Sequence, residues 1–126
     1  MHTMPAGSYY LGDPCYVVPD KDWSKFCDIF FENLDEPFKF SKGKTFLAFG
    51  TAYGDGVYTD NEGRKYPVDA GIIGLVPVGS VPKPVVNIHW PTHVIDFAEP
   101  FECENEAGKM TFGHLVINTA DDEEDV

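Results

Sequence analysis

The sequence predicts an α+β fold: a twisted, mainly antiparallel sheet, or a partly closed barrel, with one amphipathic helix over one face. Only residues 20–35 have the apolar spacing of a helix, whereas later segments are short, apolar or alternating, and bounded by Gly and Pro. Ten Phe, six Tyr and two Trp among 126 residues supply material for a packed core. This length suits one domain, so we expect a single globular domain over residues 1–119 and a disordered acidic tail over residues 120–126.

The first predicted elements are two short strands and the helix. Residues 8–18 predict strands on either side of the turn Gly12-Asp13-Pro14, because Tyr and Val favour strands and Pro interrupts them. Asp20 is expected to cap the helix, which Pro37 ends. One apolar stripe follows the helical spacing and is predicted to be buried; it consists of Trp23, Phe26, Cys27, Phe30, Phe31 and Leu34.

The middle of the chain has the composition of strands joined by tight turns. Residues 44–49 form one predicted strand, and residues 57–59 can pair with residues 64–68 across a turn that contains Gly. Residues 72–78 are almost entirely apolar, which is typical of a strand covered on both faces. Residues 85–89 are expected to form an edge strand, since the prolines around them disfavour a central position.

The last part of the chain predicts a hairpin. Alternating apolar residues between positions 94 and 104 indicate one buried strand face, and residues 105–108 form a turn. The apolar positions then change parity around Gly113, which predicts a β-bulge or bend there. The residues expected to face the core are Ile95, Phe97, Phe101, Cys103, Met110, Phe112, Leu115 and Ile117.

The charge of the chain restricts its function. There are 21 Asp and Glu against 9 Lys and Arg, for a formal charge of −12, and five of the acidic residues lie in the tail, which leaves −7 on the first 120 residues. Because phosphate backbones are bound by cationic side chains, this charge argues against direct nucleic-acid binding and favours a partner with a basic surface. No segment has the ~20 apolar residues of a membrane span, and no signal peptide is recognised. Three scattered cysteines without a Cys-x-x-Cys pair indicate reduced thiols in the cytoplasm.

Three blocks of the sequence resemble a group of small uncharacterised proteins from tailed phages and bacteria. They are GSYYLGDPCYV at residues 7–17 with Asp22-Trp23 after it, TAYGDGVY at residues 51–58 followed by VDAG and IGLVP within residues 68–77, and FGHLVINT at residues 112–119. The blocks span most of the predicted domain, so the resemblance concerns all of it. The resemblance implies a phage or prophage origin and an intracellular setting, and it implies no activity for any residue.

Three aspartates in Gly-rich turns are candidate site residues: Asp13, Asp55 and Asp69. Gathered in one cleft, they would bind a cation such as Mg²⁺ or form an acid–base pair, since hard cations favour clustered carboxylates. Alternatively, each carboxylate accepts backbone N–H groups of its own turn, which is a common role of Asp beside Gly and Pro. We favour the second interpretation, and the sequence leaves both open.

Four tyrosines near these turns are candidate ligand-binding residues: Tyr10, Tyr16, Tyr53 and Tyr58. A tyrosine combines an apolar ring with a polar hydroxyl group, so it suits a pocket lining as well as simple packing in a sheet. Cys15 is the one cysteine expected outside the core, which makes it the candidate for a reactive thiol.

These observations predict a non-catalytic, acidic, cytoplasmic protein of phage or prophage type. It would bind and inhibit or redirect a basic site on a host protein, such as a nucleic-acid-binding or defence enzyme. A first alternative is a protein that captures a small ligand or a nucleotide signal with its tyrosines and Gly-rich turns. A second is a metal-dependent hydrolase that uses the three aspartates. We expect no cofactor, and a homodimer is reasonable if a sheet edge stays uncovered.

Overall fold

Residues 2–40, 43–81 and 91–120, which the computed structural model describes, form one α-helix and eleven β-strands. The helix α1 spans Asp20–Glu32. All pairs between these strands are antiparallel, and the mixture of sheet and helix confirms the predicted α+β class. The strands are β1 (His2–Met4), β2 (Gly7–Gly12), β3 (Phe38–Lys39), β4 (Thr45–Gly50), β5 (Gly56–Thr59), β6 (Lys65–Val68), β7 (Ile72–Pro77), β8 (Val94–Phe97), β9 (Phe101–Glu106), β10 (Lys109–Phe112) and β11 (Leu115–Asn118).

The described strands are arranged in three sheets, without a closed barrel. A four-stranded sheet has the order β1-β9-β10-β11, and a five-stranded sheet has the order β3-β4-β7-β2-β8. The strands β5 and β6 form a two-stranded ribbon, which confirms the predicted pairing of residues 57–59 with residues 64–68. An isolated bridge between Asp60 and Ile117 attaches this ribbon to the four-stranded sheet.

The five-stranded sheet is apolar on both faces and lies between two buried clusters. One cluster fills the space between this sheet and the four-stranded sheet, and it includes Leu11 and Phe112. The other lies between the five-stranded sheet and α1, and it includes Tyr10 and Phe26. Successive residues of a strand point to opposite faces, so β2, β4 and β7 each contribute to both clusters. This explains the continuous apolar run of β7, all six residues of which are buried.

The helix is shorter than predicted, and it begins without the expected cap. It ends at Glu32, five residues before Pro37. The prediction that Asp20 caps the helix is wrong: Pro19 is the N-cap residue, and no side chain bonds to the first turn. Asp20 and Asp22 instead lie in that turn, where the helix dipole favours negative charge.

The predicted apolar stripe of the helix is only partly buried. Phe26 and Phe30 are buried, but Phe31 and Leu34 are 66% and 57% exposed, contrary to the prediction. Each residue turns the helix by about 100°, so Phe31 lies well around the axis from the face that Phe30 presents to the sheet. Leu34 lies two residues after the end of the helix, so it is no longer part of the helix face that contacts the sheet.

The N-terminal strands pair with strands from the last third of the chain. The strand β1 lies beside β9 in the four-stranded sheet, and β2 lies beside β8 in the five-stranded sheet. The segment that contains β1 and β2 and the segment that contains β8 and β9 therefore pass side by side between the two sheets. Only the first of the two strands predicted within residues 8–18 is present, because Pro14–Tyr16 form a 3-10 turn instead of a strand.

The change of parity at Gly113 is produced by a hairpin turn, so of the predicted bulge or bend the bulge is wrong and the chain reverses direction there. Phe112 pairs with Leu115, so Gly113 and His114 form a two-residue turn between β10 and β11. Gly113 has a φ of 62°, a conformation that glycine adopts without steric cost. The eight residues predicted to face the core in this region are all buried.

At Gly74, in the centre of the five-stranded sheet, the backbones of β7 and β4 approach each other closely. Gly74 pairs with Gly12 on one side and with Ala48 on the other. A Cβ atom at position 74 would lie 2.5 Å from the carbonyl oxygen of Leu47 and 3.1 Å from the Cβ of Ala48. Only glycine fits this position.

No helix within the described ranges is both long and apolar enough to cross a membrane. Two predictions lie outside the described residues: the edge strand at residues 85–89 and the acidic tail from residue 121 onward.

Candidate functional site

The loops at one end of the five-stranded sheet bring several of the predicted site residues together. The strands β2 and β4 end there and β7 begins there, because β7 is antiparallel to both neighbours. Three loops meet at this end, at residues 13–16, 51–55 and 69–71, and we call it the loop face. The backbone N–H of Thr51 donates to the carbonyl oxygen of Gly71 at 3.0 Å, which joins the second loop to the third.

Asp13 joins the first loop to the third. Its side chain is completely buried. The Oδ1 atom accepts the backbone N–H of Cys15 at 2.9 Å, and Oδ2 accepts the backbone N–H groups of Asp69 and Ala70, each at 2.7 Å. Both carboxylate oxygens are thus engaged by the backbone. Oδ1 bonds within its own turn, as the second interpretation describes, whereas Oδ2 bonds to a different loop, which that interpretation did not include.

Cys15 lies among the three candidate aspartates. Burial raises the pKa of its thiol to about 12, helped by its hydrogen bond with Asp13 and by the negative charges of Asp13, Asp69 and Asp55. A thiol with this pKa stays protonated at neutral pH and is a poor nucleophile. The hydroxyl group of Tyr16 donates to the carboxylate of Asp69 at the edge of the same cluster.

The other three candidate tyrosines occupy different environments. Tyr10 is buried, and its hydroxyl group donates to the carbonyl oxygen of Asp13 at 3.0 Å. Tyr58 is half-buried, and its hydroxyl group donates to the carbonyl oxygen of Gly54 at 2.9 Å. Tyr53 is 63% exposed. The structure therefore brings Tyr10 and Tyr16 to the Asp13 loop, whereas Tyr53 faces solvent.

The three candidate aspartates lie near one another but have different surroundings. Asp13 is buried and bonded to backbone, Asp69 accepts the Tyr16 hydroxyl, and Asp55 is exposed. Within the part of the chain that the structure describes, no group of three His, Cys, Asp or Glu side chains is placed to hold a metal ion. The ligand-binding role of these residues stays a prediction.

A second buried carboxylate, Asp60, was missed as a functional candidate. Its Oδ1 atom accepts the backbone N–H groups of Glu62 and Arg64 at 2.8 and 2.9 Å. Its Oδ2 atom accepts Arg64 at 2.6 Å and the Tyr66 hydroxyl at 2.7 Å. Burial on its own would raise the pKa of Asp60, but the hydrogen bonds from Tyr66, Arg64 and Glu62 outweigh it and lower this pKa below 3.8. The spacing of Asp and Arg by four residues around a turn was the available signal.

The Asp60 network connects the ribbon to the five-stranded sheet. The Nε atom of Arg64 donates to the carbonyl oxygen of Thr92 at 2.7 Å, just before β8. The ring of the buried His93 lies edge-on to Tyr66, with 4.8 Å between ring centres, and burial lowers the pKa of His93 below 6.5. These contacts give the network a structural role and engage the single arginine of the sequence.

An apolar groove of about 350 Å³ opens on the loop face beside the C-terminal end of α1. We call it the helix-end groove. It contains Phe31 and Leu34, two of the most exposed large apolar side chains among the described residues. The groove was not predictable from the apolar spacing, because that spacing placed both side chains in the core. Residues that line it include Phe31, Leu34, Asp35, Thr51, Ala70 and Asn105.

A different groove, of about 420 Å³, lies at the opposite end of the five-stranded sheet. Lys39 and Lys44 line it together with residues 5–9, and Lys39 Nζ donates to Thr45 at 2.7 Å. The described residues that line it include no carboxylate. We call it the lysine groove.

Comparison of the chain with protein-family models, with curated proteins and with solved structures found no match.

Proposed function

We propose that this protein is a non-catalytic binding protein whose acidic surface engages a basic surface of a partner protein and thereby inhibits or redirects that partner. The observation that carries the proposal is the distribution of charge. Of the carboxylates in the described ranges, all except Asp13 and Asp60 are at least partly exposed. The surface therefore presents most of the excess of 21 acidic over 9 basic residues.

Three of the seven cationic residues in the described ranges are bonded to other groups or lie away from the loop face. Arg64 is bonded to Asp60 and to the carbonyl oxygen of Thr92. Two of the lysines, Lys39 and Lys44, lie together in the lysine groove, away from the loop face. A surface of one sign attracts oppositely charged partners and speeds their association, and salt weakens this attraction over a distance of about 8 Å at physiological ionic strength.

The state of the buried polar residues supports binding over catalysis. Both carboxylate oxygens of Asp13 accept hydrogen bonds from backbone N–H groups. Those of Asp60 accept hydrogen bonds from the backbone and from the side chains of Arg64 and Tyr66. The raised pKa of the Cys15 thiol keeps it protonated at neutral pH. A carboxylate saturated with hydrogen bonds is a poor general base, and a protonated thiol is a poor nucleophile.

The resemblance to small phage and bacterial proteins supports a partner in a bacterial host cell. Host proteins that bind nucleic acids, including defence enzymes, present basic surfaces to phosphate groups. An acidic protein domain competes for such a surface by offering carboxylates in place of phosphates. We therefore propose a cytoplasmic host protein of this class as the partner.

The proposal is tested by retention of host proteins on two matched forms of the chain. One is the wild type, and the other carries Asp28→Asn, Glu32→Gln, Asp55→Asn, Glu99→Gln, Glu102→Gln and Glu106→Gln, all at exposed positions. Equal circular dichroism and melting temperature show that both are folded. We expect the wild type to retain a basic protein at physiological salt and the neutralised form to lose it. Retention of nothing at low or physiological salt, or equal retention by both forms, would contradict the proposal.

A second candidate function, capture of a small anionic ligand, is favoured by the lysine groove. Its volume lies in the range of small-molecule sites, and two ammonium groups face it without a described carboxylate. Thermal shifts with a panel of nucleotides test this function. Stabilisation that is lost in the double variant Lys39→Gln/Lys44→Gln supports it, and the absence of any shift across the panel dismisses it.

A further inference from the structure

The helix-end groove exposes two large apolar side chains, and the place of each side chain in the fold explains why it is exposed. Phe31 lies on α1 outside the face that contacts the sheet, and Leu34 lies just after the helix. The segment after the helix is held by hydrogen bonds: Asn33 Nδ2 donates to the Ile29 carbonyl oxygen at 2.9 Å, and the backbone N–H of Glu36 donates to the Asn33 carbonyl oxygen at 3.0 Å. Both apolar side chains are therefore presented at defined positions beside the groove.

One carboxylate lines this apolar surface and two more lie close to Phe31 on the helix. Asp35 lines the groove itself. Asp28 is three residues before Phe31, which makes the two side chains neighbours on the helix surface, and Glu32 follows Phe31 directly. Both Asp28 and Glu32 are exposed. Neither Lys nor Arg occurs among the described residues that line the groove.

An apolar centre with a charged rim is the usual composition of a protein-binding surface. Aromatic side chains near the centre of such a surface contribute a large part of the binding energy, and the charged rim selects partners of opposite charge. The charge complementary to this rim is positive. The side chains complementary to Phe31 and Leu34 are large and apolar.

We infer that the helix-end groove is the contact site for a basic amphipathic helix of the partner protein, whose apolar stripe covers Phe31 and Leu34 while flanking Lys or Arg residues face Asp28, Glu32 and Asp35. This inference rests on the proposed function, which it makes specific to one surface. Helix-in-groove recognition places apolar anchors at positions i, i+3, i+4 and i+7 of the bound helix.

Two synthetic peptides of Lys and Leu test the inference by fluorescence anisotropy at physiological salt. In the first peptide the Leu residues follow the helical spacing, and in the second the same residues are scrambled so that no apolar face forms. We expect the whole chain to bind the first peptide at least about tenfold more tightly than the second, because both peptides carry the same charge and only one carries a continuous apolar stripe.

Matched variants locate the contact. Phe31→Ser/Leu34→Ser is expected to weaken binding of the first peptide by about tenfold or more, whereas Val57→Ser, which changes an apolar side chain of similar exposure elsewhere, leaves it unchanged. Asp28→Asn/Glu32→Gln is expected to weaken binding more than Glu99→Gln/Glu102→Gln, which removes the same charge from exposed positions on other elements. Unchanged melting temperatures of these surface variants show that each is folded.

The outcomes separate this inference from the proposed function. Equal binding of both peptides, or equal effects of the groove variants and their controls, overturns the inference. If host proteins are still retained by the wild type and lost by the neutralised form, the proposed function stands without the groove. If neither peptide binds and no host protein is retained, both are overturned.

Discussion

The carboxylate of Asp13 accepts the backbone N–H of Asp69 at 2.7 Å, although the two residues are 56 positions apart in the chain. This bond and its neighbour from Ala70 attach the loop after β2 to the loop before β7. Tyr16, at the end of the first loop, bonds back to the side chain of Asp69. One buried carboxylate thus joins the first loop of the loop face to the third.

Replacing this carboxylate with an amide should destabilise the fold. In Asp13→Asn, one side-chain oxygen that accepts N–H groups becomes an NH₂ group that cannot accept, so we expect a loss of about 2–3 kcal/mol in the free energy of unfolding. Urea denaturation measures this loss. The control Asp55→Asn changes an exposed carboxylate of the same loop face and should stay within about 0.5 kcal/mol of the wild type. Equal stability of the two variants would contradict the role assigned to Asp13.

The Asp60 network predicts a specific dependence of stability on pH. The pKa of Asp60 is lowered in the folded protein, so its carboxylate stabilises the fold above the ordinary value of 3.8, and this contribution is lost as the pH falls through the lower folded pKa. The variant Asp60→Asn should lose about 2–3 kcal/mol at pH 7. The difference in the free energy of unfolding between wild type and variant should then decrease as the pH falls below 3.8.

Denaturation of both proteins by urea at a series of pH values measures this gap, and taking the difference removes the titration of the other carboxylates. His93 is present in both proteins, and its lowered pKa makes each of them lose stability as the pH falls through 6.5. Because the Asp60 charge raises the His93 pKa, the variant loses more stability in this range, so the difference between the two proteins widens near pH 6.5 before it narrows below 3.8. A gap that is constant from pH 7 to pH 3 would show that the charge of Asp60 does not contribute.

The close approach at Gly74 predicts a large effect from a single methyl group. Gly74→Ala places a Cβ atom 2.5 Å from the backbone oxygen of Leu47, which side-chain movement cannot relieve. We expect a loss of about 1–3 kcal/mol or more in the free energy of unfolding. In Gly50→Ala, on the neighbouring strand, the added Cβ meets nothing within 4 Å, so that variant should be unchanged or slightly stabilised. Similar melting temperatures of the two variants would contradict the role assigned to the close approach at Gly74.

Cys15 should react slowly with alkylating reagents. Because its thiol pKa is raised to about 12, very little thiolate is present at pH 8, and we expect alkylation by iodoacetamide at least about tenfold slower than for a free cysteine. Mass spectrometry of peptides resolves Cys15 from Cys27 and Cys103. Labelling of the same cysteine in urea provides the unperturbed rate. Rapid labelling in the folded protein would show that Cys15 is activated, and it would revive a catalytic interpretation.

Elements specified by local pattern were predictable from the sequence. The ribbon of β5 and β6, the buried strand β7 and the start of α1 near residue 20 follow from spacing and turn residues within a few positions. At Gly113 the pattern was read correctly as a change of parity. A bulge and a two-residue turn both produce that change, and only the pairing of Phe112 with Leu115 distinguishes them.

Features that depend on distant parts of the chain were not predictable. The position of Phe31 relative to the sheet depends on how α1 is rotated about its axis. The apolar spacing determines this rotation only to within about one residue. The Asp60 network joins a turn to Tyr66 and to Thr92 through tertiary contacts. The Gly and Pro neighbours of Asp13 and Asp69 predicted that both lie in loops, but the bond between the two residues appears only in the folded chain.

The pairing of β1 with β9 and of β2 with β8 also determines when the molecule completes its structure during synthesis. The strands β1 and β2 emerge from the ribosome before their partners, which follow only with residues 94–103. Contacts between such distant positions slow folding. In the nascent chain the edge of β2 that pairs with β8 therefore stays unpaired until residue 94 has emerged, and an unpaired strand edge favours misassociation.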